Sequence, residues 1–237
     1  KRNAMTRETA ISRATRHFDE GKFIEDLARR VAIRTESQIP ESRPYMDVYL
    51  KDEITPAFDR MGFKTEILPN PVEGVGPILL AERIEDASLP TVLMYGHGDV
   101  IRGLEDQWRS GIGPWQLKQE GDKYYGRGTA DNKGQHTINI AALECVLKER
   151  GALGFNSTIL IETGEETGSP GLADFCKANK AALKADALIG INGQNRPWDG
   201  IWNERVQRGP DGWSFEVEIP FRTLNFDPTN DTWGFNI

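Results

Sequence analysis

Three short apolar runs, each bounded by turn residues, constrain the fold of this chain more than any other feature: Pro90-Thr-Val-Leu-Met-Tyr95, Ser157-Thr-Ile-Leu-Ile-Glu162 and Ala187-Leu-Ile-Gly-Ile191. The first two, continuous and without alternation, predict buried strands, and the third predicts a strand. The segments between them carry the helical period. Lys133–Arg150 sets Ile140, Leu143 and Leu147 on one stripe, with Ile138, Ala142 and Cys145 beside it, and stops before Gly151; a second helix is expected from about Gly171 to Leu183. A β-α-β-α-β alternation predicts an α/β fold, a mixed sheet flanked by helices.

Upstream, residues 8–34 place Ile11, Ala14 and Phe18, then Ile24, Leu27, Ala28 and Val31 at helical spacing, interrupted at Gly21. This predicts two helices or one kinked helix. A further helix is expected over Met46–Met61, ending at Gly62, followed by strands Phe63–Leu68 and Gly76–Arg83; Glu105–Trp115 reads as a polar loop bearing Trp108 and Trp115. Lys1-Arg-Asn-Ala4 precede Met5, which reads as the initiator, and are set aside. A chain of 237 residues can bury one sizeable core, or one core and a small annex. Its net charge of −7 argues against nucleic acid or an anionic membrane as the main partner, because both require clustered Lys and Arg. No apolar run approaches the roughly 18 residues of a membrane span, so a cytoplasmic protein is expected. Cys145 and Cys176 form no Cys-x-x-Cys pair and read as small core residues.

Ligand-type residues gather at the ends of these elements. The first apolar run leads into Tyr95-Gly-His97-Gly-Asp99, and ligands commonly sit just past the carboxyl ends of such strands. Asp99 is close enough to accept the other imidazole N–H of His97, which would fix its tautomer and strengthen it as a metal ligand. A Gly-rich turn, Gly126-Arg-Gly-Thr-Ala-Asp131, places Asp131 at the start of a helix. There it could act only as an N-cap, or it could bridge two cations with its two oxygens. Glu165 and Glu166 are adjacent acids at a strand end. They would repel one another unless one binds a cation while the other takes a proton from an activated water. A lone histidine after a strand is usually solvent-facing and a Glu-Glu pair is usually solvated. It is the joint placement of His97, Asp131 and Glu165-Glu166 at neighbouring element ends that favours a metal site, with donors suited to zinc. His17 and His136 read as structural or surface residues.

Three segments, Tyr95-Gly-His-Gly-Asp99, Tyr125-Gly-Arg-Gly-Thr-Ala-Asp-Asn-Lys133 and Glu162-Thr-Gly-Glu-Glu166, resemble in order and spacing the motifs of the dinuclear zinc metallopeptidase family that includes carnosinase-type dipeptidases, glutamate carboxypeptidase, acetylornithine deacetylase and succinyl-diaminopimelate desuccinylase. The resemblance covers residues 8–191. It implies two zinc ions per site, with cobalt or manganese as substitutes, His97 as a ligand of one ion, Asp131 as the bridge and Glu166 as a ligand of the other. It further implies Glu165 as general base and Asp99 as the residue orienting His97. The expected substrate is a small peptide or an N-acyl amino acid, and the tryptophan-containing loop looks closest to the dipeptidase branch.

The chain also departs from the family pattern. Asn192 stands where the family carries an aspartate ligand, and a neutral amide binds zinc more weakly than a carboxylate. Neither the family's lid and dimerisation domain nor its last histidine ligand is found, so the oligomeric state is not predicted. From residue 192 onward the pattern changes to Trp198-Asp-Gly-Ile-Trp202, Gly209-Pro-Asp-Gly-Trp213 and a strict alternation of Trp213, Phe215, Val217 and Ile219 with polar residues, which predicts antiparallel β-structure. That segment resembles a piece of a carbohydrate-binding-type β-sandwich. The expected organisation is therefore a zinc-peptidase-like α/β domain over residues 1–191 and a β-rich segment over 192–237, joined near Ile191 as a truncated or fused product. Two functions follow: a zinc-dependent hydrolase of peptide or amide bonds, impaired by the missing ligands, or a non-catalytic metal-, carbohydrate- or protein-binding module on the same fold.

Overall fold

A computed structural model of the protein describes residues 7–190, together with the backbone of residues 203–209 and 212–218. The chain divides into two compact units, Lys1–Gly193 and Gln194–Ile237. The first opens with helices α1 (Arg7–Asp19) and α2 (Lys22–Ala32), separated at Gly21, whose positive φ breaks the helix where the sequence predicts. The next helical stretch is longer at its start than expected. It runs through α3 (Arg43–Val48), a π-helical segment (Tyr49–Ile54) and α4 (Thr55–Asp59).

Strands β1 (Lys64–Leu68), β2 (Ile78–Arg83), β3 (Thr91–His97), β6 (Asn156–Glu162) and β7 (Ala187–Gly190) form one sheet in the order β1-β2-β6-β3-β7, while β4 (Lys118–Glu120) and β5 (Lys123–Tyr125) form a small hairpin of their own. Pairing of β1 with β2 and of β2 with β6 is antiparallel; β3 is parallel to both β6 and β7. Helix α5 (Lys133–Arg150) connects β5 to β6, and α6 (Leu172–Ala178) precedes β7. This is the mixed α/β sheet expected from the sequence. The expected helix over 171–183 is shorter, since α6 ends at Ala178 with a hydrogen bond from Asn179 N–H to Phe175 O.

Side-chain alternation on the strands fills two apolar layers. Leu79, Ala81, Met94, Ile159 and Ile161 point to one face and pack with Leu50, Ile54 and Phe58 of the α3–α4 stretch and with Ile140 and Leu143 of α5. Ile78 and Leu160 point to the other face and pack with Phe175 of α6. Each such fully buried aliphatic or aromatic side chain contributes roughly 1.5–3 kcal/mol, so both layers are needed to hold the central strands. On α5 the expected stripe is only partly inward: Ile140, Leu143 and Cys145 are buried, whereas Ile138 is exposed. Edge strand β7 leaves Leu188 and Ile189 exposed. No described helix is long and apolar enough to cross a membrane.

In the second unit, β8 (Asn203–Gly209) and β9 (Gly212–Glu218) pair antiparallel with Gly209 opposite Gly212, as the sequence alternation predicts.

Candidate metal centre

Parallel pairing of β3 with β6 brings His97 opposite Glu162, so both chains leave the sheet at the same end. Gly98 N–H donates to Glu162 O at 2.8 Å, keeping the two exits together. Gly98 also lies against Tyr49, and a Cβ there would come within 2.7 Å of the ring, so this crossing needs glycine. The chain then turns Asp99 inward, fully buried. Its carboxylate accepts the backbone N–H of Glu165 at 3.2 Å on Oδ1 and that of Glu166 at 3.1 Å on Oδ2, while Oδ1 also lies 3.2 Å from His97 Nδ1. One buried carboxylate thus ties the imidazole to the turn bearing both glutamates.

The other ring nitrogen of His97, Nε2, lies 3.0 Å from Asp131 Oδ1 and 3.7 Å from Glu165 Oε2. Burial opposes the charged imidazole, but hydrogen bonding and attraction from Asp99, with further help from Glu165 and Asp131, push its pKa up to about 9. Asp131 was expected at the start of a helix. The helix begins at Lys133, as the sequence predicts, but Asn132 rather than Asp131 holds the N-cap position, and the Asp131 carboxylate turns to His97. The Asp131–Asn132 peptide is cis. Glu165 and Glu166 sit in a single 3₁₀ turn, Glu165–Thr167, closed by Gly168 N–H to Glu165 O. Burial pushes the Glu166 carboxyl up to about 7; Asp131, Asp99 and Glu165 add to this and His97 opposes it.

His97, Asp131 and Glu166 each offer one ligand atom, and these atoms lie within 4.8 Å of one another. The donor set, one imidazole and two carboxylates with two further carboxylates beside it, is the borderline-to-hard set that zinc accepts. It is also a concentration of negative charge that a divalent cation would relieve. The residues therefore fit a metal ion. Asn192 lies outside the described residues. His136 is buried inside the fold, its Nε2 against the Tyr49 hydroxyl and its Nδ1 against Asn132 Oδ1, and it is not among the three residues whose ligand atoms converge.

Sequence reasoning assigned no role to three residues that it had quoted within the motifs. Glu162 is fully buried and accepts Tyr95 O–H at 2.7 Å and Ser169 O–H at 2.8 Å on Oε1, which straps the Glu165–Glu166 loop to the sheet; burial pushes its carboxyl up. Lys133 is buried under the Gly-rich turn and donates to Arg30 O at 3.0 Å and Ile33 O at 2.6 Å at the end of α2, two carbonyls that also accept the N–H groups of Ile33 and Thr35. Burial pushes this ammonium down to about 7, against the pull of Asp99 and Glu36. Asn132 accepts from His97 N–H at 3.2 Å. The only sequence signal for these roles was adjacency to a ligand.

Residues 93–229 match the model of "Peptidase family M20/M25/M40", a span that includes both strands of the second unit and so runs past the boundary expected near residue 191. Among curated proteins, the Cys-Gly metallodipeptidase DUG1 of Candida albicans is 34% identical over 164 residues, covering 65% of this chain and 34% of that protein. Human Beta-Ala-His dipeptidase is 31% identical over 223 residues, covering 89% of this chain and 43% of that protein. The chain thus spans about a third of the length of the first such relatives, 34%, 37% and 35%. Among solved structures, human carnosine dipeptidase 1 superposes with a TM-score of 0.68 at 27% identity, over 78% of this chain and 41% of that one. The dipeptidase Dug1p of Saccharomyces cerevisiae gives 0.71 at 22% identity, over 81% and 42%, and shares the fold. The motif order read from the sequence, the sheet that carries it and a family match over more than half the residues agree: the chain belongs to peptidase family M20/M25/M40.

Proposed function

We propose that the chain carries the metal centre of a zinc-dependent hydrolase acting on peptide or amide bonds of small substrates, of the dipeptidase type. The observation that carries this reading is the convergence of His97, Asp131 and Glu166 from three separate chain segments, with ligand atoms within 4.8 Å of one another. His97 and Glu166 would hold one zinc each and Asp131 would bridge the two, with Asn192 as a weak further ligand. Cobalt or manganese would fit the same donors. When bound, the metal supplies Lewis acidity at the scissile carbonyl. Glu165, whose backbone is tied to Asp99 and whose Oε2 is 3.7 Å from His97 Nε2, takes a proton from the attacking water and returns it to the leaving amine. Asp99 holds the imidazole of His97 in one orientation. The names of the relatives direct the substrate choice to dipeptides such as Cys-Gly and β-Ala-His.

The test separates the two glutamates. Glu165→Gln is expected to keep bound zinc and lower dipeptide hydrolysis by about 10²–10⁴-fold, the usual worth of a general base. Glu166→Gln is expected to weaken zinc binding itself. Equal loss of metal from both variants refutes this division of roles.

A further inference from the structure

Behind the candidate ligand His97 lies a buried polar chain whose donors and acceptors can be assigned from chemistry alone. Asn132 Oδ1 receives His97 N–H at 3.2 Å and faces His136 Nδ1 at 3.1 Å, and Asn132 Nδ2 donates to Gln135 Oε1 at 2.5 Å. A backbone N–H can only donate, so the amide atom facing it is the oxygen. His136 Nδ1 faces that same oxygen and must carry a proton. His136 is a neutral imidazole, since burial first, and then the charges of Arg30, His97 and Lys133, hold it well below its ordinary range. Its Nε2 is therefore a bare acceptor, and the Tyr49 hydroxyl at 2.5 Å must donate to it.

The chain is tightly enclosed. Tyr49 is fully buried, its ring lies under Gly98, and Lys133 Nζ sits 5.0 Å from the ring centroid. A Cβ on Gly96 would come 3.0 Å from Asn132 Oδ1 and 3.1 Å from His136 Cβ, so the strand runs directly against the relay. The described pairing of β3 with β7 ends at Tyr95 opposite Gly190. His97 N–H lies beyond that last pair and takes Asn132 as its partner.

We propose that Tyr49, His136 and Asn132 are positioning residues for the metal centre, a one-way hydrogen-bond relay that pins the backbone N–H of His97. The proposal rests on the reading of His97 as a metal ligand. Its logic is directional: the Tyr49 O–H holds the ring at Nε2 and so aims Nδ1–H at Asn132 Oδ1, and without that hydroxyl the imidazole is held at one nitrogen only, which loosens the grip on His97.

Tyr49→Phe removes one hydroxyl and leaves ring volume unchanged. In the full chain, two-bond proton–nitrogen NMR should show wild-type His136 protonated on Nδ1 and bare on Nε2. Amide exchange of His97, referenced to Met94 in the same strand, should quicken about tenfold in Tyr49→Phe, as expected for loss of one net hydrogen bond. Zinc affinity by chelator competition should fall about tenfold, the lower end for groups that orient a ligand. A proton on Nε2 in the wild type, or unchanged His97 exchange relative to Met94, overturns the relay. Should the variant not fold, the wild-type tautomer decides alone. If wild-type zinc affinity does not exceed that of Asp131→Asn, the metal-centre reading fails, while tautomer and exchange still decide the relay.

Discussion

Asp99→Asn tests how the site is assembled, because the substitution keeps size and shape and changes only which hydrogen bonds can form. In the native protein the two carboxylate oxygens accept the N–H groups of Glu165 and Glu166, and one of them also faces His97 Nδ1. Asn offers one oxygen and one NH₂. If its oxygen serves Glu165 and His97, its NH₂ points at the Glu166 N–H, donor against donor; if it is flipped, Glu165 and His97 are both abandoned. Either way at least one bond to a charged acceptor is lost at a position that is itself fully buried, and a donor is left unpaired. Hydrogen bonds to charged groups are worth about 1.5–3 kcal/mol and the orphaned donor costs a further ~1–3 kcal/mol, so destabilisation of about 3 kcal/mol or more is expected. For a protein of this size each kcal/mol moves Tm by roughly 2–4 °C, so thermal unfolding should come about 6–12 °C earlier. Zinc affinity should fall about 10–100-fold, since His97 loses the partner that orients it. A variant melting within about 1 °C of wild type would show that Asp99 does not clamp the Glu165–Glu166 turn, and the argument would fail whatever happens to zinc.

Glu85 gives a pH-dependent counterpart far from the metal ligands. It accepts Leu153 N–H at 2.7 Å, Gly154 N–H at 2.9 Å and Arg83 Nε–H at 3.2 Å; burial opposes its charge, but these donors hold its carboxyl below the usual carboxylate range. A depressed carboxyl contributes stability that is present above its unfolded pKa of about 4.3 and is lost as pH falls through the lower folded value. Glu85→Gln should therefore cost about 1–2 kcal/mol at pH 7, and the gap to wild type should close in acid; urea unfolding at a series of pH values measures it, and a constant gap refutes the linkage. Asn192→Asp should tighten zinc binding several-fold by adding a charged ligand, and titration showing no gain places residue 192 outside the ligand set.

Much of this architecture was legible in the chain itself. The central strand β6 was legible as an apolar run because a strand covered on both faces has no polar side to show, and α5 as a stripe because one of its faces packs on the sheet. His97, Asp131, Glu165 and Glu166 stood out because charge at strand and helix ends has no packing explanation. Other roles depend on groups distant in sequence and adjacent only after folding. Asp99 could be read as the partner of His97, two residues away, but its grip on the N–H groups of Glu165 and Glu166 exists only because β3 and β6 leave the sheet side by side. Lys133 opens a helix in the sequence, and only folding brings the end of α2 to it, so that its ammonium donates to Arg30 O and Ile33 O. His136 shares no helix face with Asp131 and so looked incidental; packing of the π-helical segment against α5 brings Tyr49 to it, and burial then makes it neutral. Local pattern thus determined which residues could carry chemistry. The tertiary structure decided which buried polar groups hold them in place, because a hydrogen bond joins whatever the fold brings within about 3 Å, however far apart the partners lie in the chain.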